Sequence, residues 1–256
     1  MKKTALFMAI MFALLAASSC GEKKKSTDKT SETAAVEETT ASETTTMPAF
    51  EFVTVPVTDA SEAELEAELA AIDPIAGTAF TKGSIEGNVY TSEFAGIKFT
   101  APDEWTFKSD EDIETQKQQS MANMTAELKK ISAMEITDAA LINSESTKAI
   151  DFTYSNVKLK YPDDSGLSEE EFLDKDIFMG NLEEYKEKYG LKMSDPEKVT
   201  LGGKEFIKFM ILKDVENSDD VIYIGRIDDD FILTIAAYGG AVTDTAAFES
   251  CFEAMN

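Results

Sequence analysis

Read from the amino end, the chain changes its hydrophobic pattern three times. Lys2 and Lys3 lead into an unbroken apolar run from Ala5 to Ala17. From Gly21 to Pro48, Lys, Glu, Ser and Thr dominate and large apolar side chains all but vanish. Beyond Pro48 patterned apolar positions return and continue to the carboxyl end.

Alternation with period two predicts the strands. Val89 to Phe94 and Ile97, Phe99 and Ala101 flank Ala95-Gly96 and read as a hairpin, with Trp105 and Phe107 as a short third strand after Pro102. Ala139 to Ile142 and Ile150 to Val157 form a second hairpin about Asn143-Ser144-Glu145-Ser146. The last third is richest in strands: Val199 and Leu201, Phe206 to Leu212, Val221 to Ile227, and Phe231 to Tyr238, with turns at Gly202-Gly203 and Asp228-Asp229-Asp230.

Helical spacing appears between these runs. Ser61 and Glu64 make a capping-box pattern ahead of Leu65, Leu69 and Ile72, and Asp73-Pro74 ends that short helix. Ser109 caps a predicted helix carrying Met121, Met124, Leu128 and Ile131 on one face. Ser168 and Glu171 form a second capping box, followed by Phe172, Leu173, Ile177, Leu182, Tyr185 and Tyr189, with Gly190 as the stop. Thr243 opens a closing helix expected to run through Met255. Strands joined in succession by tight turns pair antiparallel, and the helical stripes need a sheet to cover, so the expected class is α+β.

The amino-terminal pattern predicts export. A basic start, an apolar stretch too short to span a bilayer, and the small residues Ser18 and Ser19 together read as a secretory signal over residues 1–19. Ala17-Ser18-Ser19-Cys20 resembles the lipobox of bacterial lipoproteins, although its first position is usually leucine and here is Ala17. That resemblance implies acylation of Cys20, with palmitate-type chains, and anchoring to the extracytoplasmic face of the cell membrane. Ordinary signal cleavage after Ser19 satisfies the same small-residue rule and is the competing reading. Residues 20–48 then form a tether whose composition cannot bury enough apolar surface to offset the entropy of ordering. Residues 49–86 are an extended segment plus the short helix, and residues 87–256 are the folded domain, of ordinary single-domain length.

The domain has a recognisable cast. Gly87-Asn88-Val89-Tyr90-Thr91-Ser92-Glu93-Phe94-Ala95-Gly96-Ile97-Lys98-Phe99, followed by Pro102-Asp103-Glu104-Trp105, resembles the opening of bacterial lipoproteins with a PsbP/Mog1-like domain. Val199-Thr200-Leu201-Gly202-Gly203-Lys204-Glu205-Phe206 resembles their strand, Gly-Gly turn, strand segment. The resemblance implies an α/β/α sandwich around a central antiparallel sheet, in a superfamily of mostly accessory or binding proteins. These strings are structural, so the resemblance carries over no functional residue.

Charge narrows the partners. Acidic residues number 49 against 24 basic, a net charge of −25, and loss of Lys2 and Lys3 with the signal makes the mature chain more acidic still. With Arg226 as the only arginine, no basic face for nucleic acid can be assembled. The absence of histidine removes Ser-His-Asp and Cys-His catalysis and histidine-based zinc sites. Cys20 and Cys251 are the only cysteines, so acylation of Cys20 leaves no internal disulfide, and Cys251 reads as a small core hydrophobe.

The remaining chemistry is carboxylate. Asp163-Asp164, Asp219-Asp220 and Asp228-Asp229-Asp230 sit at predicted turns. An EF-hand loop with Gly166 in its sixth place would begin at Tyr161, so that pattern fails. Tyr90, Trp105, Phe107, Tyr154, Phe209 and Tyr223 read chiefly as core and secondarily as a ligand groove. The expectation is a lipid-anchored, non-enzymatic module without cofactor or metal that binds an unknown protein or small ligand; a carboxylate-dependent hydrolase and a calcium-stabilised interaction module are the alternatives.

Overall fold

Short connections between successive strands force antiparallel pairing, and every strand pair among the described residues is antiparallel. The computed structural model describes residues 62–255 apart from 165, 178–182, 184, 185, 188, 189, 191, 216 and 217. Cys20, the signal and the tether lie outside the described residues. The result is a mixed α/β fold whose described strands form two antiparallel sheets.

The smaller sheet has the order β1-β2-β3-β12: β1 Ser84–Glu86, β2 Val89–Ser92, β3 Ile97–Thr100 and β12 Phe252–Ala254. The larger has the order β4-β5-β6-β11-β10-β9-β7: β4 Trp105–Phe107, β5 Glu135–Asn143, β6 Ala149–Asn156, β11 Phe231–Tyr238, β10 Asp220–Arg226, β9 Lys204–Leu212 and β7 Lys192–Met193. β8, Glu197–Leu201, also pairs with β9.

The predicted hairpins form where the alternation places them. β2 and β3 pair with Ser92 opposite Ile97, and β5 and β6 pair about the Asn143–Ser146 turn. Trp105 and Phe107 do make a strand, but it joins the large sheet beside β5 rather than following β3.

Three helix expectations change. The helix after Ser109 divides into α2 (Asp110–Ala122) and α3 (Ala126–Ala133), α1 being Glu62–Ala70. Asn123 ends α2 and Thr125 opens α3. Both residue types compete with helical hydrogen bonding and favour ends over interiors. The capping box at Ser168 and Glu171 forms with both reciprocal bonds, but α5 (Glu169–Phe172) passes into a π-helical turn at Leu173–Ile177. Leu182, Tyr185 and Tyr189 lie outside the described residues. The closing helix α6 covers only Thr245–Glu249, capped by Asp244, and the chain then turns into β12.

Tertiary pairing explains that last change. Phe252 lies opposite Phe99 across the ladder with ring centroids 4.8 Å apart. A strand satisfies the backbone of both segments while burying the same ring that a helix would bury. Gly202 shows how closely β12 approaches: its φ is +55°, and a Cβ there would lie 2.8 Å from the Glu253 carbonyl oxygen.

Two apolar clusters flank the large sheet. The first fills the space between the sheets with Tyr90, Phe99, Phe152, Tyr154, Phe231, Leu233, Ile235, Phe248 and Phe252, and half-buried Cys251 packs against it. The second lies on the opposite face, where Ile207, Phe209, Ile211, Ile222, Ile224, Ile232 and Ala236 meet Val157, Phe172, Leu173 and Ile177. Val157 opens the short helix α4, Val157–Lys160.

The segment before Gly87 belongs to this packing. Phe80 packs edge-on against Tyr154 with ring centroids 5.2 Å apart, Asn156 Nδ2 donates to the Pro74 carbonyl at 2.7 Å, and Lys130 of α3 pairs with Glu68 of α1. Among the described residues no helix is long and apolar enough to cross a membrane.

Candidate functional site

The acidic turns serve the turns themselves. Asp228 Oδ1 accepts from the amides of Asp230 at 2.9 Å and Phe231 at 2.8 Å, and Asp219 Oδ1 accepts from Lys213 N at 2.7 Å. Asp164 and Asp230 pair with Lys175 and Lys158. Among the described residues no group of three or more acidic or cysteine side chains could hold a metal.

The aromatic candidates divide. Tyr90, Tyr154, Phe209 and Tyr223 have no solvent exposure and belong to the two cores. Trp105 and Phe107 instead border an open groove of about 600 Å³, where the free edges of β1 and β4 approach and Ile85, Asn88, Lys108 and Asp110 complete the wall. Asp110 there pairs with Lys82 at 2.6 Å.

Inward polar groups are the more informative set, since a desolvated polar group costs free energy unless it is hydrogen-bonded. Asp138 sits at a β5 bulge, where the register slips between Thr137 and Ala139. It accepts from Tyr90 Oη at 2.6 Å and from Gly83 N at 3.0 and 3.1 Å. A Cβ on Gly83 would lie 2.5 Å from the Tyr90 ring, so the amide reaches the carboxylate only because this residue is glycine. Burial pushes the Asp138 carboxyl above its ordinary range, and the Tyr90 hydrogen bond partly reverses that. Tyr154 shares a 2.8 Å hydrogen bond with Ser92, and burial pushes its phenol up to about 12.

Two buried lysines are equally well satisfied. Lys160 bridges Glu135 at 2.6 Å and Asp176 at 2.9 Å, and Tyr161 donates to Asp176 at 2.7 Å. Burial alone would lower the Lys160 ammonium, but the two carboxylates outweigh it and hold it charged. Lys208 bridges Glu197 and Glu249, and Tyr223 donates to Glu249. Asp220, only 3 % exposed, accepts from Lys213 Nζ and Gly239 N, each at 2.8 Å.

Asp151 is the exception. It lies mid-strand in β6 on the second-core face, directly opposite Ala140 of β5 and Ala236 of β11. Its carboxylate is half-buried and has no hydrogen-bond partner among the described residues. Desolvation raises its pKa to about 6, against a smaller opposing pull from the Lys108 ammonium. Lys108 forms no ion pair with it and donates to Gln116 Oε1 of α2 instead.

The same face is polar around it. Thr137, Thr153 and Thr234 make the next row, with Thr137 and Thr153 hydrogen-bonded at 3.2 Å. Tyr238 stands on the row beyond Asp151, opposite Ala149, half-buried and with no side-chain hydrogen bond among the described residues. Its phenol is raised by burial, then by Asp151, Asp220 and Glu135, so it stays protonated. Lys117 of α2 donates to the Glu135 carbonyl at 2.9 Å, and burial lowers its ammonium. This face of the sheet therefore carries a carboxylate without a protein donor and, on the adjoining row, a protonated phenol.

Sequence reasoning passed over Asp151. An aspartate in mid-strand, between Ile150 and Phe152, was the available signal, because Asp is depleted in strands. The alanines beside it come from β5 and β11, and only the register reveals them.

No protein-family model and no curated protein sequence matches this chain. Among solved structures it is similar to the solution structure of cyanobacterial PsbP (CyanoP) from Synechocystis sp. PCC 6803, with a TM-score of 0.38 and 10 % identity, over 69 % of this chain and 98 % of that one.

Proposed function

We propose that this protein is an extracytoplasmic lipoprotein, anchored to the cell membrane by acylation of Cys20, whose folded part is a non-enzymatic binding or complex-assembly module. The anchor reading rests on the basic start, the Ala5 to Ala17 apolar run, the small residues before Cys20 and the polar tether after it. The fold is a PsbP/Mog1-like α/β/α sandwich in this reading. Supporting it, the strings at 87–105 and 199–206 fall largely on β2, β3, β4, β8 and β9, and α4 and α5 pack on one face of the large sheet, whose other face meets the small sheet.

The observation that carries the binding role is Asp151, a mid-strand carboxylate taken partly out of water and given no donor by the described chain. A group held this way is available to an external partner.

Intact mass and detergent partitioning of the native protein beside a Cys20→Ala variant test the anchoring. Added lipid mass with partition into detergent, both lost in the variant, is the expected result. A soluble, unmodified native product overturns the anchor and leaves a freely secreted binding protein.

A further inference from the structure

We propose that the open groove between β1 and β4 holds residues 50–57 of the same chain, laid along the β4 edge as an added strand. Neither Asp151 nor the anchor at Cys20 enters into it.

Two sheet edges border the groove. Among the described residues β1 ends the small sheet and β4 ends the large one, and residues of both strands line its volume of about 600 Å³. Lys108 N donates to Ala140 O at 2.8 Å. Ladder alternation therefore turns the amide and carbonyl of the preceding residue, Phe107, away from β5 and toward the open edge. An edge of this kind is a template for another strand. Side chains are in place to receive it: Ile85 of β1 is 37 % exposed, and Trp105 and half-buried Phe107 continue the apolar wall.

Sequence and reach choose the occupant. Residues 50–57 lie outside the described residues, just ahead of α1, and read Phe-Glu-Phe-Val-Thr-Val-Pro-Val, aromatic and β-branched almost throughout, which is the composition of strands. Pro56 has no amide to give to a ladder and so suits an edge strand. Glu51 is the segment's one charge. On the groove wall Asp110 is paired with Lys82, whereas Lys108 hydrogen-bonds the neutral Gln116 and is the cation for Glu51 to meet. The ion pair of Glu68 with Lys130 fixes α1 to α3. Six helical and five extended residue steps carry the chain up to about 26 Å from Glu68 to Val57, and β5 covers about 20 Å between Glu135, next to α3, and Leu141, opposite Phe107. The segment is long enough to arrive. Tethering gives it an effective concentration on the order of mM, which populates a weak strand addition that a second copy in dilute solution would not.

The test uses the full chain with Cys20→Ala, to keep it in solution, Cys251→Ala, and Thr54→Cys carrying a nitroxide. In NMR spectra the amides of Ile85 and Phe107 should broaden and recover when the nitroxide is reduced, while that of Val199, on the far edge of the large sheet, stays sharp. No broadening at Ile85 and Phe107 overturns the docking. Mixing nitroxide-bearing chains with isotope-labelled chains that carry none separates the sources: broadening in the mixture gives the groove to a second copy and overturns the intramolecular occupant. Hydrogen exchange of the Cys20→Ala chain provides a reading free of the nitroxide. Its Phe107 amide should exchange about tenfold more slowly than with Phe52→Ser and Val55→Ser added, because a groove about nine-tenths occupied exposes that amide about a tenth of the time. Equal rates overturn the docking.

Discussion

The two faces of the large sheet solve the same problem in different ways. Toward the small sheet, the face is aromatic and closed: Phe152, Tyr154 and Phe231, with Tyr90 of the small sheet packed on them, have no exposure, and every polar atom among them is paired, with Asp138 held by Tyr90 and Gly83 and Ser92 by Tyr154 and the Ala95 amide. The opposite face is graded. Over β9, β10 and β11 it is an aliphatic core, but over β5 and β6 it becomes Thr137, Thr153 and Asp151, covered by a helix, α2, that buries no residue. The closed face fixes how the sheets pack. The graded face carries polar capacity that the described fold does not use.

The largest effect that would break this contrast lies in the closed face. Phe152 contacts the rings of Tyr90, Phe99 and Phe252 with centroids 4.9 to 6.2 Å away. Phe152→Ala should cost about 3–5 kcal/mol, the usual price of a buried ring turned into a cavity, measured by denaturant unfolding. A loss under about 1 kcal/mol would mean the inter-sheet layer is not the tight core described.

Removing a donor in the same face has the next largest effect. Tyr90→Phe keeps the ring and deletes the hydroxyl that Asp138 accepts from at 2.6 Å. The expected loss is about 1–3 kcal/mol, because Asp138 retains only the Gly83 amide. Asp138 would also titrate higher in the variant, since the Tyr90 hydrogen bond is the largest of the influences that lower it, ahead of the Gly83 amide and Lys82. An unchanged Asp138 titration by NMR would show that the network is not formed.

How much of this was legible in the sequence follows from how local each signal is. The β2–β3 and β5–β6 hairpins and the Ser168 capping box depend on neighbouring residues, and all three form as read. Ser168→Ala should therefore cost about 1 kcal/mol, again by denaturant unfolding, and no change would mean the cap carries no stability. The misread elements depend on distant chain. Phe248 and Phe252 fit helical spacing, but Phe99 pulls Phe252 into a ladder 153 positions away in sequence. The second sheet was invisible for the same reason: β4 and β12 are three-residue strands whose partners decide their sheet. For the site, Asp151 was readable as an odd strand residue. Its isolation between Ala140 and Ala236, its distance from an ion pair with Lys108 and the phenol of Tyr238 all required the register of three strands.

The smallest effect gives the sharpest comparison, because it asks whether the graded face holds its carboxylate at a cost. Asp151 has a folded pKa of about 6 against an ordinary 3.8. The unfolded chain therefore loses this proton first as pH rises, and the folded state is penalised for keeping a charge on this partly desolvated face. That penalty is absent below about pH 4, grows between pH 4 and 6 and is constant above. Asp151→Asn removes it, so the variant should match the native protein in acid and exceed it at pH 7, by about 1 kcal/mol or less after allowing for the solvent that reaches the group. Asp138 is common to both proteins and cancels from the difference. Denaturant midpoints across this range provide the check. A variant less stable than the native protein at neutral pH would mean that Asp151 has found a donor and that the graded face is as closed as the other.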